Sequence, residues 1–235
     1  MTAAVDVARD APAAPPALAS ARHRWTIGLG LAVLQSAVYF GIGQLPLHRS
    51  VDLLRTSLDD AIPFWTWTAW CYLPFYVGVF LLTIGGLRRR ALFDRTARSV
   101  VLVMIVGAIC HLTIGAEYPR PVLRPPYSGL SSTFMAWVQS VDAPGNVFPS
   151  LHVAHTTMLS LLLIRDRPVL GRVALVMATL LAISTLTTKQ HFIADVVSGY
   201  VLAFIGVAFA LRGGVDRGPG SPPLAGPRSP LAPRG

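Results

Sequence analysis

Apolar residues occur along the chain in six runs of roughly membrane-spanning length, separated by shorter polar segments. The runs cover residues 25–47, 63–86, 99–117, 149–164, 171–188 and 192–212. About twenty apolar residues let a helix cross roughly 30 Å of hydrocarbon, because each residue adds about 1.5 Å. The pattern therefore predicts an all-α polytopic membrane protein, a bundle of six transmembrane helices.

The composition agrees with a membrane location and also marks the limits of the folded part. Hydrophobic residues make up 53% of the 235 residues and charged residues only 13%, and a soluble domain of this size could not bury so much apolar surface. Residues 1–24 are rich in Ala and Pro, and residues 213–235 in Gly, Pro, Ser and Arg. Such segments cannot form a core. We expect two disordered cytoplasmic tails around one membrane domain at 25–212.

The basic residues are distributed unevenly between the two ends of the predicted spans. With the N-terminus inside, fifteen of the twenty Lys and Arg residues fall in inner segments and five in outer loops. Cytoplasmic loops carry the excess of Lys and Arg, so we expect a cell-membrane protein with both termini in the cytoplasm. Because this asymmetry accounts for the net charge of +9, a nucleic-acid partner is not expected.

Three polar islands fall at the outer ends of spans in this topology. The first, "EYPRPVLRPPY" at residues 117–127, holds Arg120 and Arg124 on a proline-stiffened loop. The guanidinium group is a forked donor suited to phosphate oxygens. The alternative is a pair of arginines that extend toward lipid headgroups.

The second island, "GNVFPSLHVAHTTM" at residues 145–158, opens the fourth span. Pro149 suits the first turn of a helix, which places Ser150, the amide of Leu151 and His152 at the N-terminal end, where free amides favour an anion. A single histidine at such a place is also compatible with a purely structural role. His155, one turn further along, is expected to pack or to support its neighbours.

The third island, "LTTKQHFIADVVSGY" at residues 186–200, contains Lys189, the only lysine of the chain. His191 and Asp195 are four residues apart and share one helix face. A carboxylate that accepts a hydrogen bond from one imidazole nitrogen leaves the lone pair of the other nitrogen available for attack. The alternative is a polar pair that holds two helices together.

Together the islands resemble the type 2 phosphatidic acid phosphatase superfamily, through "PRP" at 119–121, "PSLH" at 149–152 and "STLTTKQHFIAD" at 184–195. Three positions depart from the family pattern, where a glycine, an arginine and a lysine are replaced by Leu151, Thr185 and Thr113. The last motif is most similar to the inositol-phosphorylceramide synthase-like, or inositolphosphotransferase, branch. In that branch the positive charge of the missing arginine would be supplied by Lys189 or else by Arg124. The alternative for Lys189 is a contact with lipid headgroups of the outer leaflet.

The resemblance implies a phosphatase or phosphotransferase that needs no metal or other cofactor. Its implied catalytic residues are His191 as nucleophile, Asp195 as its orienting partner and His152 as general acid. Its implied phosphate-binding residues are Arg120, Ser150, Leu151, Lys189 and Arg124.

The implied substrate is a phosphorylated membrane lipid of the phosphatidate type, hydrolysed at the outer face of the membrane. Transfer of a phosphorylated headgroup to a lipid or inositol hydroxyl is one alternative. A non-catalytic lipid-headgroup-binding protein is an alternative of another class, suggested by Leu151 and Thr185. The oligomeric state is left open.

Overall fold

The computed structural model describes residues 15–47, 50, 53–142 and 144–212. Within these ranges the chain is helical and contains no β-strand. A short 3₁₀ helix, Thr66–Thr68, leads into the third α-helix. The α-helices are α1 (Ala21–Gly43), α2 (Ser57–Ala61), α3 (Ala69–Gly86), α4 (Arg90–Thr113), α5 (Leu130–Val141), α6 (Leu151–Ile164), α7 (Pro168–Thr187) and α8 (Ile193–Leu211). The all-α prediction is confirmed for the described part of the chain.

Among the described residues, five helices are long and apolar enough to cross a membrane: α1, α3 with its 3₁₀ turn, α4, α7 and α8. The fourth predicted run forms α6, which has only 14 residues and measures about 21 Å, so the count of six spans is not confirmed. Twelve of these residues are buried, and α6 packs against α3, α4, α7 and α8. Because other helices enclose it, α6 faces little lipid and does not need the length of a full span.

The main apolar core surrounds α6. Leu159, Leu162 and Leu163 of this helix are buried in one cluster that includes Val103 of α4 and Leu202 of α8. Packing against four helices at once fixes the position of α6 along the bundle. The residues at its first turn are therefore held by the best-packed part of the molecule.

One end of the bundle, which we call the basic end, joins residues 17–19, the α3–α4 turn and the α6–α7 turn. The amide of Ala19 donates to the carbonyl of Arg88 (2.8 Å), and the guanidinium of Arg89 pairs with Asp166 (3.0 Å). Helix α1 begins at Ala21, so the last residues of the predicted tail, 21–24, are helical. The rest of the predicted tails, 1–14 and 213–235, lies outside the described residues.

The opposite end, which we call the loop-rich end, carries α2, α5 and the first residues of α6 and α8. Neither short helix is predicted from the hydrophobic runs. Helix α5 buries Ser132, Met135 and Val138 on one face. That face packs against α3 and the 3₁₀ turn, so α5 covers the loop-rich end.

The first turns of α6 and α8 are joined directly at the loop-rich end. The amide of Ser150 donates to the carbonyl of Asp195 (3.0 Å). Gly199, one turn further along α8, permits this approach, since a Cβ at that position would lie 2.7 Å from the carbonyl oxygen of Ser150. This contact fixes the relative position of two of the sequence motifs.

Candidate active site

Residues of the three polar islands lie together at the loop-rich end. The rings of His152 and His191 are 5.8 Å apart between centroids. Arg120 pairs with Asp142 (3.7 Å), and the carboxylate of Asp142 reaches His152 through the hydroxyl of Tyr72. The structure thus brings Arg120, His152 and His191 into one contact network.

His191 and Asp195 form a buried pair at the start of α8. Nδ1 of His191 lies 3.3 Å from Oδ2 of Asp195, and the two side chains are 3% and 0% exposed. The same carboxylate oxygen accepts the amide of Phe192 (2.8 Å), which holds it at the first turn of the helix. An acceptor at Nδ1 favours the imidazole tautomer with its lone pair on Nε2.

Thr185 occupies the position of the arginine in the family pattern, and the structure shows what this residue does here. Its side chain is fully buried and donates to the carbonyl of Ala182 (2.7 Å). Its own carbonyl accepts the amides of Gln190 (2.9 Å) and His191 (3.2 Å). Thr185 therefore anchors the turn that carries His191 but brings no positive charge.

His152 is the second residue of α6 and lies among three tyrosine rings. The ring centroids of Tyr72, Tyr76 and Tyr39 are 4.8, 4.7 and 6.0 Å from that of His152. The hydroxyl of Tyr72 is 3.2 Å from Nε2 of His152. These contacts hold the imidazole between α1 and α3, on the side toward α5.

Asp142, at the end of α5, binds Arg120 and two tyrosines. Its carboxylate accepts the hydroxyls of Tyr39 (2.6 Å) and Tyr72 (2.8 Å), and its backbone carbonyl accepts Nη1 of Arg120. Burial alone would raise the pKa of Asp142, but the guanidinium of Arg120, the nearby His152 and the two hydroxyls outweigh it, so this pKa lies below its usual value. Asp142 is therefore an ionised carboxylate at neutral pH.

The first turn of α6 holds Ser150 and Leu151. The hydroxyl oxygen of Ser150 accepts the amide of Val153 (3.4 Å) and so caps the helix. Leu151 directs its side chain at Gly107 of α4. His155 is fully buried, and its Nδ1 lies within hydrogen-bond distance of the carbonyl oxygen of Leu151 (3.1 Å).

Lys189 and Arg124 do not contact either histidine through a hydrogen bond or an ion pair. The ammonium of Lys189 donates to the carbonyl of Asp59 in α2 (2.7 Å). Burial lowers the pKa of Lys189, against the opposing effect of Asp59 and Asp60. Arg124 is exposed on the loop before α5. Their predicted roles in phosphate binding stay predictions.

A cavity of about 260 Å³ lies beside His152. It is bounded by α1, α3 and the end of α5, with Gln35, Tyr76 and Asp142 among its polar lining residues and Phe40 and Val77 among its apolar ones. The side-chain oxygen Oε1 of Gln35 is buried there without a hydrogen-bond partner. The cavity can therefore accept both an apolar group and a hydrogen-bond donor.

Sequence reasoning missed Asp142 and the tyrosines around His152. Tyr72 and Tyr76 are four residues apart in an apolar span, a spacing that places two polar tips on one helix face. That spacing was the available signal for the tyrosines. Within the described residues, no group of three His, Cys, Asp or Glu side chains is arranged to hold a metal ion.

Comparison with known proteins identifies the family. Residues 47–209 match the model of the PAP2 superfamily, a region that contains all three motifs. The chain belongs to the PAP2 superfamily. The superfamily resemblance drawn from the motifs is thus confirmed, and membership supports phosphatase or phosphotransferase activity in general terms.

A more specific placement within the PAP2 superfamily does not follow from the relatives. The chain is 27% identical over 129 residues to the uncharacterized protein MJ0662 of Methanocaldococcus jannaschii, a match that covers 53% of each protein. The match thus spans about half the length of that relative. No solved structure matches the chain. The inositolphosphotransferase-like branch is therefore not confirmed.

Proposed function

We propose that this PAP2 protein is an integral membrane enzyme that hydrolyses a lipid phosphate of the phosphatidate type at the outer face of the cell membrane. The observation that carries the proposal is the pairing of His191 with Asp195, 5.8 Å between ring centroids from a second histidine, His152. Histidine supplies the nucleophile in this chemistry, so no metal is required.

In the proposed first step, the lone pair on Nε2 of His191 attacks phosphorus. The bond between phosphorus and the lipid oxygen breaks, and His152 transfers a proton to the departing alkoxide. The products are phosphohistidine and the lipid alcohol. Asp195 holds the His191 ring and stabilises the positive charge that develops on it.

In the second step, water attacks the phosphohistidine. His152, now neutral, accepts the proton from water, the bond between phosphorus and Nε2 breaks, and inorganic phosphate leaves. In both steps the guanidinium of Arg120 and the amides at the start of α6 would stabilise the equatorial oxygens as charge develops. Asp142 would hold that guanidinium in position.

A second candidate function is transfer of a phosphorylated headgroup to a lipid or inositol hydroxyl. The cavity beside His152, with the unpartnered Oε1 of Gln35 in its wall, favours it, because an acceptor hydroxyl would find a hydrogen-bond acceptor there. In this reaction the acceptor hydroxyl takes the place of water in the second step.

The test is phosphate release from phosphatidate by the purified protein in detergent with EDTA present. We expect release by the wild type and its abolition by His191→Ala. His23→Gln is the matched control, because it removes a histidine at the basic end, where His23 pairs with Asp94 (2.7 Å). Substrate labelled in the phosphoryl group should leave an acid-labile, alkali-stable label on the wild type but not on His191→Ala.

The outcome also separates the alternatives. Product that forms only when a hydroxyl acceptor is added would favour the transferase. Binding of phosphatidate without turnover, with or without an acceptor, would favour the non-catalytic lipid-headgroup binder.

A further inference from the structure

A second buried carboxylate, outside the three motifs, connects two functional groups of the site. Asp142 is 9% exposed and comes from α5, which none of the motifs includes. On one side it pairs with Arg120 (3.7 Å). On the other it accepts the hydroxyl of Tyr72 (2.8 Å). Burying a carboxylate at such a place is costly unless it is paired and hydrogen-bonded, and here it has both kinds of partner.

Tyr72 has one hydroxyl proton, which decides the direction of its hydrogen bonds. A carboxylate can only accept, so the Tyr72 proton points toward Asp142. The Tyr72 oxygen then accepts a hydrogen bond from a ring N–H of His152, whose nitrogens lie 3.2 and 3.3 Å away. A single nitrogen donates at a time, and the other is available for a proton transfer elsewhere.

We propose that Tyr72 and Asp142 form a positioning pair for His152, in which Asp142 orients the Tyr72 hydroxyl so that its oxygen accepts a hydrogen bond from an N–H of the imidazole. The inference rests on the proposed function, in which His152 is the general acid. A general acid must carry its proton when the leaving group departs. The negative charge of Asp142, relayed through an oriented hydroxyl, stabilises the protonated imidazole in a buried site.

Asp142 is the group around His152 that favours a proton on its ring. Burial of the imidazole disfavours that proton most, and His191 and Arg120 disfavour it as well, while the tyrosines that face it are neutral. Asp142 is the acidic group among the residues that face His152 from the elements packed around it: Tyr39, Tyr72, Tyr76, Arg120, Asp142, His155 and His191. One carboxylate thus holds both the proposed acid and the proposed phosphate-binding cation.

The test uses leaving groups of different acidity. An alkyl phosphate needs a proton on its departing oxygen, whereas p-nitrophenyl phosphate releases a stable phenolate and needs little assistance. We expect Tyr72→Phe to lower kcat/KM for hexyl phosphate clearly, though by less than the about 10²–10⁴-fold that loss of a general acid costs. For p-nitrophenyl phosphate, kcat/KM should stay close to that of the wild type.

Two controls make the test specific to His152. Tyr76→Phe keeps the ring that packs against His152 at 4.7 Å and loses only a hydroxyl that accepts a hydrogen bond from Nε2 of Gln35, so it should keep the leaving-group dependence of the wild type. In a His152→Ala background, Tyr72→Phe should cause no further loss with hexyl phosphate, because it acts through His152. Asp142→Asn is measured in the same cycle, so that the result does not depend on one variant folding.

Three results would overturn the inference: equal losses on both substrates, no loss on hexyl phosphate, or additive losses from Tyr72→Phe and His152→Ala. Each of these requires that the wild type hydrolyses the substrates and that His191→Ala does not. A wild type without turnover, or turnover that survives His191→Ala, contradicts the proposed function instead. The two failures are therefore distinguishable.

Discussion

The side chain of Leu151 fills the space above Gly107. A Cβ built on Gly107 would lie 2.5 Å from Cδ2 of Leu151 and 2.9 Å from its Cγ, closer than non-bonded carbons approach. The family pattern has glycine at position 151, and here the larger residue is accommodated by a glycine on the facing helix α4. The side chain that replaces the family glycine at Leu151 is thus accommodated by packing against Gly107.

The contact between Leu151 and Gly107 predicts that substitutions at the two positions have coupled effects on stability. Gly107→Ala should destabilise the protein by about 1–3 kcal/mol through overpacking, and Leu151→Ala by about 2–5 kcal/mol through a cavity. The double variant should lose less than the sum, because the new methyl group enters the vacated space. Gly30→Ala, where no atom lies within 4 Å of the added Cβ, is the control. Thermal unfolding in detergent measures all four, and additive losses would contradict the packing relationship.

Gly199 gives a prediction about activity. A methyl group there would meet the carbonyl oxygen of Ser150 at 2.7 Å, and a backbone atom of a packed helix cannot move aside alone. We expect Gly199→Ala to separate the starts of α6 and α8, displace His191 from His152 and lower kcat by at least about tenfold, since small misplacements of reacting groups cost about 10²-fold.

Gly41→Ala is the matched control for that measurement. It also adds a methyl group to a helix, but no atom lies within 4 Å of the position. Its activity should equal that of the wild type, with stability equal or raised by up to about 1 kcal/mol. Normal kcat in Gly199→Ala would show that the contact between Ser150 and Gly199 does not set the site geometry.

The backbone conformation of Lys189 predicts that its alanine and glycine variants differ in stability. It has φ of 55°, in the left-handed region that costs L-residues about 1–2 kcal/mol relative to glycine, and its ammonium binds the carbonyl of Asp59 (2.7 Å). Both Lys189→Ala and Lys189→Gly lose that bond and should melt at a lower temperature than the wild type. The glycine variant should be the more stable of the two by about 1 kcal/mol.

Kinetics of the same position test its predicted role in phosphate binding. Lys189→Arg keeps the positive charge, so a phosphate-binding role predicts a raised KM in Lys189→Ala and a smaller effect in Lys189→Arg. Equal and small changes in KM would leave Lys189 with the contact to α2 alone.

Thiol labelling tests the orientation in the membrane. In a protein with Cys71 and Cys110 replaced by alanine, single cysteines are placed at Leu130 and Val169, which are 75% and 73% exposed at the loop-rich and basic ends. A membrane-impermeant maleimide should label position 130 in intact cells and position 169 only after permeabilisation. The reverse pattern would place the candidate site in the cytoplasm.

Much of the helical layout followed from the sequence because apolar runs near twenty residues are a strong local signal. The position of Arg120, His152 and His191 at the same end of the bundle followed from the alternating direction of the predicted spans. The length of α6 did not, because its apolar run gives no indication that other helices enclose it. Asp142 and Tyr72 are 70 residues apart, and the contact of Lys189 with α2 spans 130 residues; such contacts depend on packing that local patterns do not encode.

The shortness of α6 sets the depth at which the chemistry would take place. Helices α6 and α7 are joined by a tight turn at the basic end, and α7 has 20 residues against 14 in α6, so the first turn of α6 stops about 9 Å short of the far end of α7. A phosphate beside His152 would therefore lie below the level of the far end of α7. Substrates whose phosphate is carried on a slender, extendable stalk would reach that depth more easily than those with a bulky, heavily hydrated head.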